Sequence, residues 1–472
     1  MHGQTGGSAI DGRRGAGDAS PVSQQGLVDP LPALAPELPV IGAALPLLRD
    51  PVRFLASCRR RLGDTFLVRL FGREILFVFS AAGVRSLWAA PEDTLSKGFA
   101  DFEMIRAKVP EELFQGRRTR PHDLFSRDDV EEYLKNVIDA VDAELDALGD
   151  AGEVELFGLT RRVGHRVGLA SWGGVTGEAT RYLADVIRAL DALDTSDAFV
   201  HPVKTLVANL GGKRDARRAL RELEALYEGI LRIREQAPPQ RPDLFDRLCG
   251  HWEGEPSPAR EIGIARDAVL VHLGSMSNLF AAKAWTVVHL LASPERLERV
   301  RAGDRALLTR CAHESIRLHQ RSIVLRRALR ETSIADETAT YRLRPGAFVA
   351  TMMPNTNTSA APRLDRFDPD HYDGGRFLRT KELETRELVT TFGHGAHACP
   401  AMRFSIEAIQ HFASELVRRF ALEPRYAQPG PLRNQIGGIA RADRPCRVAY
   451  RRRVPGERSE RGPSTASALG VA

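Results

Sequence analysis

The sequence predicts a mainly α-helical fold with smaller β-sheets, the α+β class, on the strength of three observations. Through residues 128–234, apolar residues recur at helical spacing in one segment after another. Residues 264–291 form the longest such segment and are expected to cross the centre of the molecule. Residues 65–71 and 74–79 alternate or run apolar on either side of a Gly-Arg turn, which predicts a β-hairpin.

Composition narrows the class of protein. The 472 residues are 43% hydrophobic and 27% charged, as in globular proteins. The net charge of +6 is spread along the chain without basic runs interleaved with aromatic residues, so nucleic-acid binding is not expected. The five cysteines are odd in number, scattered and never spaced as CxxC. They predict neither a disulfide framework nor a zinc site, and they favour the cytoplasm.

The chain is predicted to form one domain over residues 36–453, because no linker or internal repeat divides it. Residues 1–35 and 454–472 are predicted to be disordered tails. Residues 1–20 are rich in glycine and lack an apolar core, so they predict neither a signal peptide nor a membrane anchor. No other stretch reaches the length of a transmembrane helix, and a monomer is expected.

A glycine-punctuated loop ending in one cysteine is the strongest candidate for a functional site. Cys399 follows Gly393 and Gly395 and precedes Pro400, which suits the first turn of a helix predicted over residues 402–420. Backbone N–H groups and the helix dipole are expected to favour the thiolate, which is a metal ligand. A free cysteine buried in a turn is the alternative interpretation.

This loop resembles the haem-binding loop of the cytochrome P450 family. The pattern in that family is Phe, two residues, Gly, three residues, Cys, one residue, Gly, and this chain departs from it only at Ala401. The residues that carry the resemblance are Phe392, Gly393, Gly395, His397 and Cys399. It implies a P450 fold with a long central helix over a buried haem.

The resemblance also implies a cofactor, haem b (iron protoporphyrin IX), and roles for the residues around it. Cys399 would be the axial iron ligand, with the backbone near Ala401 and the ring of Phe392 tuning the sulfur. His397 and Arg326 would bind the haem propionates.

Glu314 and Arg317 are a second mark of the family. They are three residues apart, so they face the same way on a helix and can pair. The resemblance implies a third partner from a later irregular segment, for which Arg363 or Arg366 is expected.

The middle of the long helical segment carries small and polar residues, 274–278, where most family monooxygenases have a Gly, an acid and a Thr that deliver protons to bound oxygen. Here Ser277 stands at the acid position and Asn278 at the Thr position. An amide is not a useful general acid, so protons would come through water held there. Ala282 and Trp285 extend the likeness to the cholesterol 7α-hydroxylase and prostacyclin synthase branch. Alternatively, these polar groups bond carbonyls one turn back and bend the helix.

A hydrophobic substrate is expected from the residues that the resemblance places near it. These are Leu273, Gly274, Ile323 and Val324. The resemblance also assigns residues 194–212 to a cover over the pocket.

The reaction has three possible classes. A soluble, bacterial-type monooxygenase of secondary metabolism is favoured, with electrons from a ferredoxin and ferredoxin reductase. A peroxide-dependent or isomerase-type enzyme without external electrons is the second, and a non-catalytic haem or ligand-binding homologue is the third. An acidic ferredoxin would be steered by a basic face near the cysteine, to which Arg403, Arg418 and Arg419 are expected to contribute.

Overall fold

The computed structural model describes residues 27–37, 42–106, 109–125, 130–193, 211–239, 243–375 and 382–454. Helices dominate it, which confirms the predicted fold class. They are Ala44–Arg49 (α1), Pro51–Leu62 (α2), Ala81–Ala89 (α3), Lys97–Arg106 (α4), Pro121–Leu124 (α5), Val130–Asp146 (α6), Leu156–Ser171 (α7), Leu183–Leu193 (α8), Arg214–Gln236 (α9), Leu244–Gly250 (α10), Ala259–Leu291 (α11), Pro294–Arg301 (α12), Arg305–His319 (α13), Met353–Ser359 (α14) and Met402–Arg419 (α15).

The strands form small sheets at the edge of the helical body. They are Val28–Asp29 (β1), Thr65–Leu70 (β2), Arg73–Val78 (β3), Leu95–Ser96 (β4), Ala151–Glu155 (β5), Ile323–Ala328 (β6), Thr332–Ala335 (β7), Thr340–Leu343 (β8), Phe348–Met352 (β9), Phe420–Pro424 (β10) and Arg447–Arg452 (β11). The largest sheet has the order β2-β3-β9-β6-β4, and the others are β1-β8-β7 and β10-β11-β5. Only β3 and β9 pair in parallel among these strands.

The predicted hairpin is confirmed as β2 and β3, which pair from Thr65 opposite Val78 to Leu70 opposite Arg73. Its turn lies one residue earlier than the predicted Gly-Arg pair. Phe71 and Gly72 both have positive φ, 49° and 77°, the combination that a tight two-residue hairpin turn requires.

Helix α11 crosses the core, as its long apolar pattern predicted, and packs against α7, α9, α13 and α15. Helix α7 approaches it closely because of two glycines. A Cβ at Gly164 would lie 2.2 Å from the ring of Phe280, and one at Gly168 would lie 2.8 Å from the sulfur of Met276. This close packing fixes α7 against the middle of α11.

Several predicted boundaries move for identifiable reasons. Residues 151–155, within the stretch predicted to be helical, instead form β5 and pair with β11, so α7 begins at Leu156. Strand β1 pairs with β8 although it lies within the predicted N-terminal tail, so ordered chain begins before residue 36. Residues 1–26, 455–472 and most of the predicted cover, 194–210, lie outside the described residues.

Across the described ranges, none of the helices combines the length and apolarity needed to cross a membrane. All five cysteines are free thiols.

Candidate functional site

The cysteine loop is held by its own backbone. The amide of Cys399 donates to the carbonyl of Phe392 across 2.6 Å, and the amide of Gly393 donates to Thr390 Oγ1 across 2.8 Å. Gly393 has a φ of +81°, and a Cβ there would lie 2.5 Å from the carbonyl oxygen of His397. Glycine is therefore required at this position both by its dihedral angle and by the space available.

Cys399 is exposed, although the surrounding protein partly desolvates its thiol. Burial raises the pKa of the thiol, and a hydrogen bond from the backbone N–H of Ala401 acts in the opposite direction. Ala401 caps α15, which begins one residue later. Burial thus outweighs the backbone N–H of Ala401 in setting the pKa of this thiol, and the positive charge of a bound metal would favour the thiolate.

The ring of Phe392 packs edge-on against His313 of α13, with ring centroids 5.6 Å apart. Phe392 is linked to Cys399 by the hydrogen bond between its carbonyl and the amide of Cys399.

The middle of α11 has an open face on an otherwise buried helix. Gly274 and Ser277, one turn apart, are exposed, whereas Met276 and Leu279 are buried. A Cβ at Gly274 would meet no atom within 4 Å, so open space lies beside the helix here. Ser275 bonds the carbonyl of Val271 one turn back, as the alternative interpretation of these polar residues expected.

Asn278 has a structural partner that the sequence did not reveal. Its Oδ1 accepts a hydrogen bond of 2.9 Å from the backbone N–H of Ile439, in the segment before β11. The same segment is fastened to the end of α13, because Arg321 donates its amide to the carbonyl of Gly438 and accepts from the amide of Gly437. The indole N–H of Trp285 bonds the carbonyl of Ala440 across 2.6 Å.

Glu314 and Arg317 form the predicted pair, and both side chains are fully buried. Arg317 donates from Nε and Nη2 to the two carboxylate oxygens of Glu314, each across 2.7 Å. The third partner is His371, whose Nδ1 lies 2.9 Å from Glu314 Oε1, and not Arg363 or Arg366 as expected. Arg366 contributes only its backbone carbonyl, which accepts from Arg317.

The carboxylate of Glu314 is stabilised in this setting. Desolvation acts to raise its pKa, but the hydrogen bonds from Arg317 and His371 outweigh it, so the pKa lies below the ordinary value for Glu. The amide of Asp368 also donates to Glu314 Oε1, across 3.0 Å.

Asn357 of α14 joins this pair to the cysteine loop, and sequence reasoning missed it. Its Nδ2 donates to the carbonyls of Arg317 and Thr390, and its Oδ1 accepts from the amide of Thr390. Thr390 in turn holds Gly393. A continuous set of buried hydrogen bonds therefore runs from Glu314 to the loop.

The residues expected at the propionates lie near each other. Arg326 is fully buried and donates to the backbone carbonyls of Trp88, Ala90 and Leu95, while its Nε has no partner. Nε2 of His397 lies 3.3 Å from Glu92. Burial, followed by the charge of Arg326, lowers the pKa of His397. Arg326 and His397 could therefore bind an anion together.

Of the substrate-pocket residues, Gly274 lies on the open face of α11 and Leu273 is half-buried beside it. Ile323 is half-buried and packs in one cluster with Ile436. Val324 is fully buried in the other face of the sheet, among Leu67, Leu76 and Val78, so the expectation that it lines a pocket is wrong. Neighbouring residues of a strand point to opposite faces, which is why only one of this pair is available.

The arginines expected to form a basic face differ in their surroundings. Arg419 bonds Asp142, Asp146 and Glu415, and Arg418 also bonds Glu415. The hydrogen bonds from these two arginines lower the pKa of Glu415 to about 2. Their charges are largely offset within the fold. Arg403 is exposed in the first turn of α15.

Comparisons with known proteins place this site in a family. The sequence model described as Cytochrome P450 matches residues 284–449, which contain the Glu314 pair, Arg326 and the cysteine loop. Cytochrome P450 7B1 of Mus musculus is 22% identical, over 82% of this chain and 83% of its own length. Cytochrome P450 monooxygenase pynD of Aspergillus niger is 22% identical, over 84% and 86%. Sterol 14-demethylase of Arabidopsis thaliana is 24% identical, over 83% and 86%.

Proposed function

Because the chain belongs to the cytochrome P450 superfamily and is a haem-thiolate monooxygenase with haem b as its cofactor, we propose that it hydroxylates or epoxidises a hydrophobic small molecule of secondary metabolism. Electrons would come from a ferredoxin and its reductase in the cytoplasm. The observation that carries this proposal is an exposed cysteine, Cys399, at the end of a hydrogen-bonded loop, in a fold whose central helix has an open face at Gly274 and Ser277. The catalytic domain is taken to span residues 36–453, with strand β1 added to the edge of its sheet from the preceding segment.

The residues present fit haem b. Arg326 keeps a buried Nε without a partner, and it lies near His397, so the two can bind propionate oxygens. Cys399 offers the thiol, and the N–H of Ala401 stabilises negative charge on its sulfur. Open space at Gly274 leaves room beside α11 for a flat ring system. The chemistry that haem b supplies when bound is oxygen activation, to which a thiolate ligand contributes electron density that favours O–O cleavage.

The protein supplies orientation and shelter for that chemistry. The buried hydrogen bonds from Glu314 through Asn357 to Thr390 fix the loop that presents Cys399. Apolar side chains such as Leu273 and Ile323 would exclude water and bind the substrate by burial. One of the relatives described above is named a sterol 14-demethylase, which makes a polycyclic substrate a reasonable first test.

The first experiment tests the haem ligand. We expect the carbon monoxide spectrum of reduced holoenzyme to show the band of a thiolate-bound haem, and Cys399→Ser to lose it. Cys249→Ser, which removes a half-buried thiol elsewhere, is the control and should keep the band. A thiolate band that survives Cys399→Ser would overturn the assignment.

The second experiment tests the reaction. Holoenzyme is given ferredoxin, reductase and NAD(P)H with a panel of hydrophobic polycyclic compounds, and in parallel a peroxide without the electron donors. We expect oxygenated product in the donor arm. Product in the peroxide arm alone would replace the proposal with the peroxide-dependent one, which is favoured by the absence of an acid at Ser277 and by the engagement of Asn278 Oδ1 with the backbone. No product in either arm would leave the third possibility standing, a non-catalytic haem or ligand-binding protein.

The ferredoxin is proposed to dock on the cysteine side, where Arg403 and the exposed side chain of Met402 follow the loop. Arg403 is exposed beside the cysteine loop, and we expect it to contribute to the attraction of an acidic ferredoxin. Arg403→Glu should therefore slow reduction by ferredoxin at low salt. Equal rates for wild type and Arg403→Glu contradict this docking site.

A further inference from the structure

Arg321, in the connection between α13 and β6, is a buried cation without a partner. Four arginines of the described residues are at least nine-tenths buried, Arg234, Arg317, Arg321 and Arg326. Arg234 and Arg317 are paired with carboxylates, and Arg326 donates to backbone carbonyls. The side chain of Arg321 makes no hydrogen bond, ion pair or ring contact with any residue that the structure describes.

The setting of this side chain is unfavourable for a charge that has no partner. Arg321 is only 8% exposed, and a guanidinium stays protonated in proteins. Burial lowers the pKa of Arg321, and the charge of Asp50 acts in the opposite direction without forming an ion pair. Burying an uncompensated charge is costly. None of the guanidinium nitrogens is completely sealed from water-sized space, so an acceptor that enters the site can reach them.

The backbone at Arg321 adjoins both sides of the proposed haem site. Its amide donates to the carbonyl of Gly438 across 2.7 Å, and a Cβ at Gly438 would lie 2.6 Å from Oδ1 of Asn278. The middle of α11 is therefore immediately beyond Gly438. The preceding residue, Gln320, donates from Nε2 to the carbonyl of Thr391, at the start of the cysteine loop, across 3.4 Å. Arg321 is thus close to the open face of α11 and to the cysteine loop.

Apolar side chains lie near this cation in the chain and in the fold. Ile323 follows Arg321 by two residues, and Ile436 precedes Gly438 by two. Both isoleucines are half-buried and pack in one cluster, so each leaves apolar surface uncovered. A ligand with an apolar body would be stabilised by covering that surface.

An apolar body alone would not suit the site. It would remove the remaining water from Arg321 and leave the guanidinium without any acceptor, which is strongly unfavourable. A phosphate monoester would bring about two negative charges to one guanidinium. A carboxylate brings one charge and two oxygens, which match the fork of N–H donors.

We propose that Arg321 binds the carboxylate of the substrate, so that the substrate class is a hydrophobic carboxylic acid. The inference rests on the proposed monooxygenase function and specifies what it acts on. Because the backbone of Arg321 is fastened to the segment before β11, a substrate held by its carboxylate is fixed at one end. The carbon that is oxidised would then lie at a set distance from the acid group. Arg321 is accordingly a specificity-determining residue.

The test measures binding to holoenzyme without turnover. The probes are pyrenebutyric acid and dehydroabietic acid, each compared with its primary alcohol, and calorimetry gives the dissociation constants at a pH where the acids are ionised. We expect wild type to bind at least one acid at least about 10-fold more tightly than its alcohol. Arg321→Met should abolish this preference, and Arg321→Lys should keep part of it. Arg433→Met, which removes an exposed positive charge from the segment before β11, should keep the wild-type preference.

Two further readouts separate substrate binding from a structural role. Ligand-free Arg321→Met holoenzyme should have a higher Tm than wild type, because an unpaired buried charge has been removed. The preferred acid should raise the Tm of wild type and not that of Arg321→Met. Both proteins should contain equal haem. Loss of haem from Arg321→Met would assign the guanidinium to a propionate and overturn the proposal.

The carboxylate site and the proposed function can fail separately. If wild type binds neither acid more tightly than its alcohol, the carboxylate site is refuted, and oxygenation of the alcohols with ferredoxin, reductase and NAD(P)H would leave the monooxygenase function standing. If wild type prefers an acid through Arg321 but forms no oxygenated product in the donor arm, the site stands and the proposed function has failed.

Discussion

The side-chain oxygen of Asn278 lies 2.9 Å from the backbone nitrogen of Ile439, 161 residues later in the chain. This contact ties the central helix to the segment that precedes the last strand, at the point where the helix has its open face. Asn278 was expected to hold water for proton transfer. Its side-chain oxygen instead accepts a backbone hydrogen bond that positions one wall of the site.

We expect Asn278→Ala to loosen that wall. The amide of Ile439 would lose its acceptor in a buried setting, which costs about 1–3 kcal/mol of unfolding free energy. KM for the substrate should rise more than kcat falls, and the product should become a mixture of positional isomers. Denaturant unfolding and product analysis measure these effects.

Asn278→Asp is the matched variant, because a carboxylate oxygen can accept the same N–H. It should keep the single product of the wild type even if its rate changes. A mixture of products from Asn278→Asp together with a single product from Asn278→Ala would contradict the positioning role.

Asn357 is predicted to control how firmly haem is held. Asn357→Ala removes three buried hydrogen bonds to the backbone of Arg317 and Thr390, so we expect a loss of at least about 3 kcal/mol in unfolding free energy. The loop that presents Cys399 should loosen with it. Haem transfer to excess apomyoglobin, followed by absorbance, should become faster.

Asn355→Ala is its control. Asn355 lies on the same helix and donates to the carbonyl of Val52, away from the cysteine loop. This variant should lose some stability yet release haem at the wild-type rate. Equal haem release from both variants would show that Asn357 is not a link to the loop.

The sequence was sufficient to predict those parts of the site whose residues lie close together in the chain. Gly393, Cys399 and the helix after them lie within one short segment, and Glu314 and Arg317 lie one turn apart, so residue type and interval predicted their proximity. Residues that meet across long distances in the chain were not predictable in this way. No spacing rule connects Asn278 with Ile439, or Asn357 with Thr390.

The third partner of Glu314 shows a related limit. The sequence analysis expected Arg363 or Arg366, and His371 follows them within a few residues, in a stretch of turns and one short 3-10 helix, Pro369–Gly375. Arg363 has a φ of +67°, so side-chain direction in this segment follows from irregular dihedral angles and not from a period. Which side chain reaches the carboxylate is decided by the fold.

The burial of Lys283 is expected to give the free energy of unfolding an unusual dependence on pH. It is fully buried on α11, its Nζ has no hydrogen-bond partner, and the ring of Phe412 lies 5.9 Å away. Desolvation lowers its pKa from 10.5 to about 7. Between these values the unfolded chain binds more protons than the folded one, so stability rises with pH through this window.

We expect the wild type to gain about 2–3 kcal/mol of unfolding free energy between pH 7 and pH 9.5 from this group. Lys283→Met should remove that gain and be more stable than wild type at pH 7. Lys135→Met, which replaces an exposed lysine, should keep the wild-type slope. Denaturant titrations at several pH values compare the three proteins, and parallel slopes for wild type and Lys283→Met would contradict a lowered pKa.

Substitutions at the two glycines of the cysteine loop distinguish the cost of an unfavourable dihedral angle from the cost of a steric clash. Gly393 and Gly395 both have positive φ, +81° and +58°, so alanine at either position costs about 1 kcal/mol. Only at Gly393 would the new Cβ also collide, 2.5 Å from the carbonyl oxygen of His397, whereas at Gly395 no atom lies within 4 Å.

Gly393→Ala should therefore displace the backbone between His397 and Cys399 and abolish the thiolate-bound carbon monoxide band, with little haem retained. Gly395→Ala should bind haem with the wild-type spectrum at slightly reduced stability. The measurements are haem content per protein and the carbon monoxide spectrum of the reduced protein. If Gly393→Ala retains haem as well as Gly395→Ala does, the close approach of His397 is not what requires glycine, since the dihedral cost is common to both.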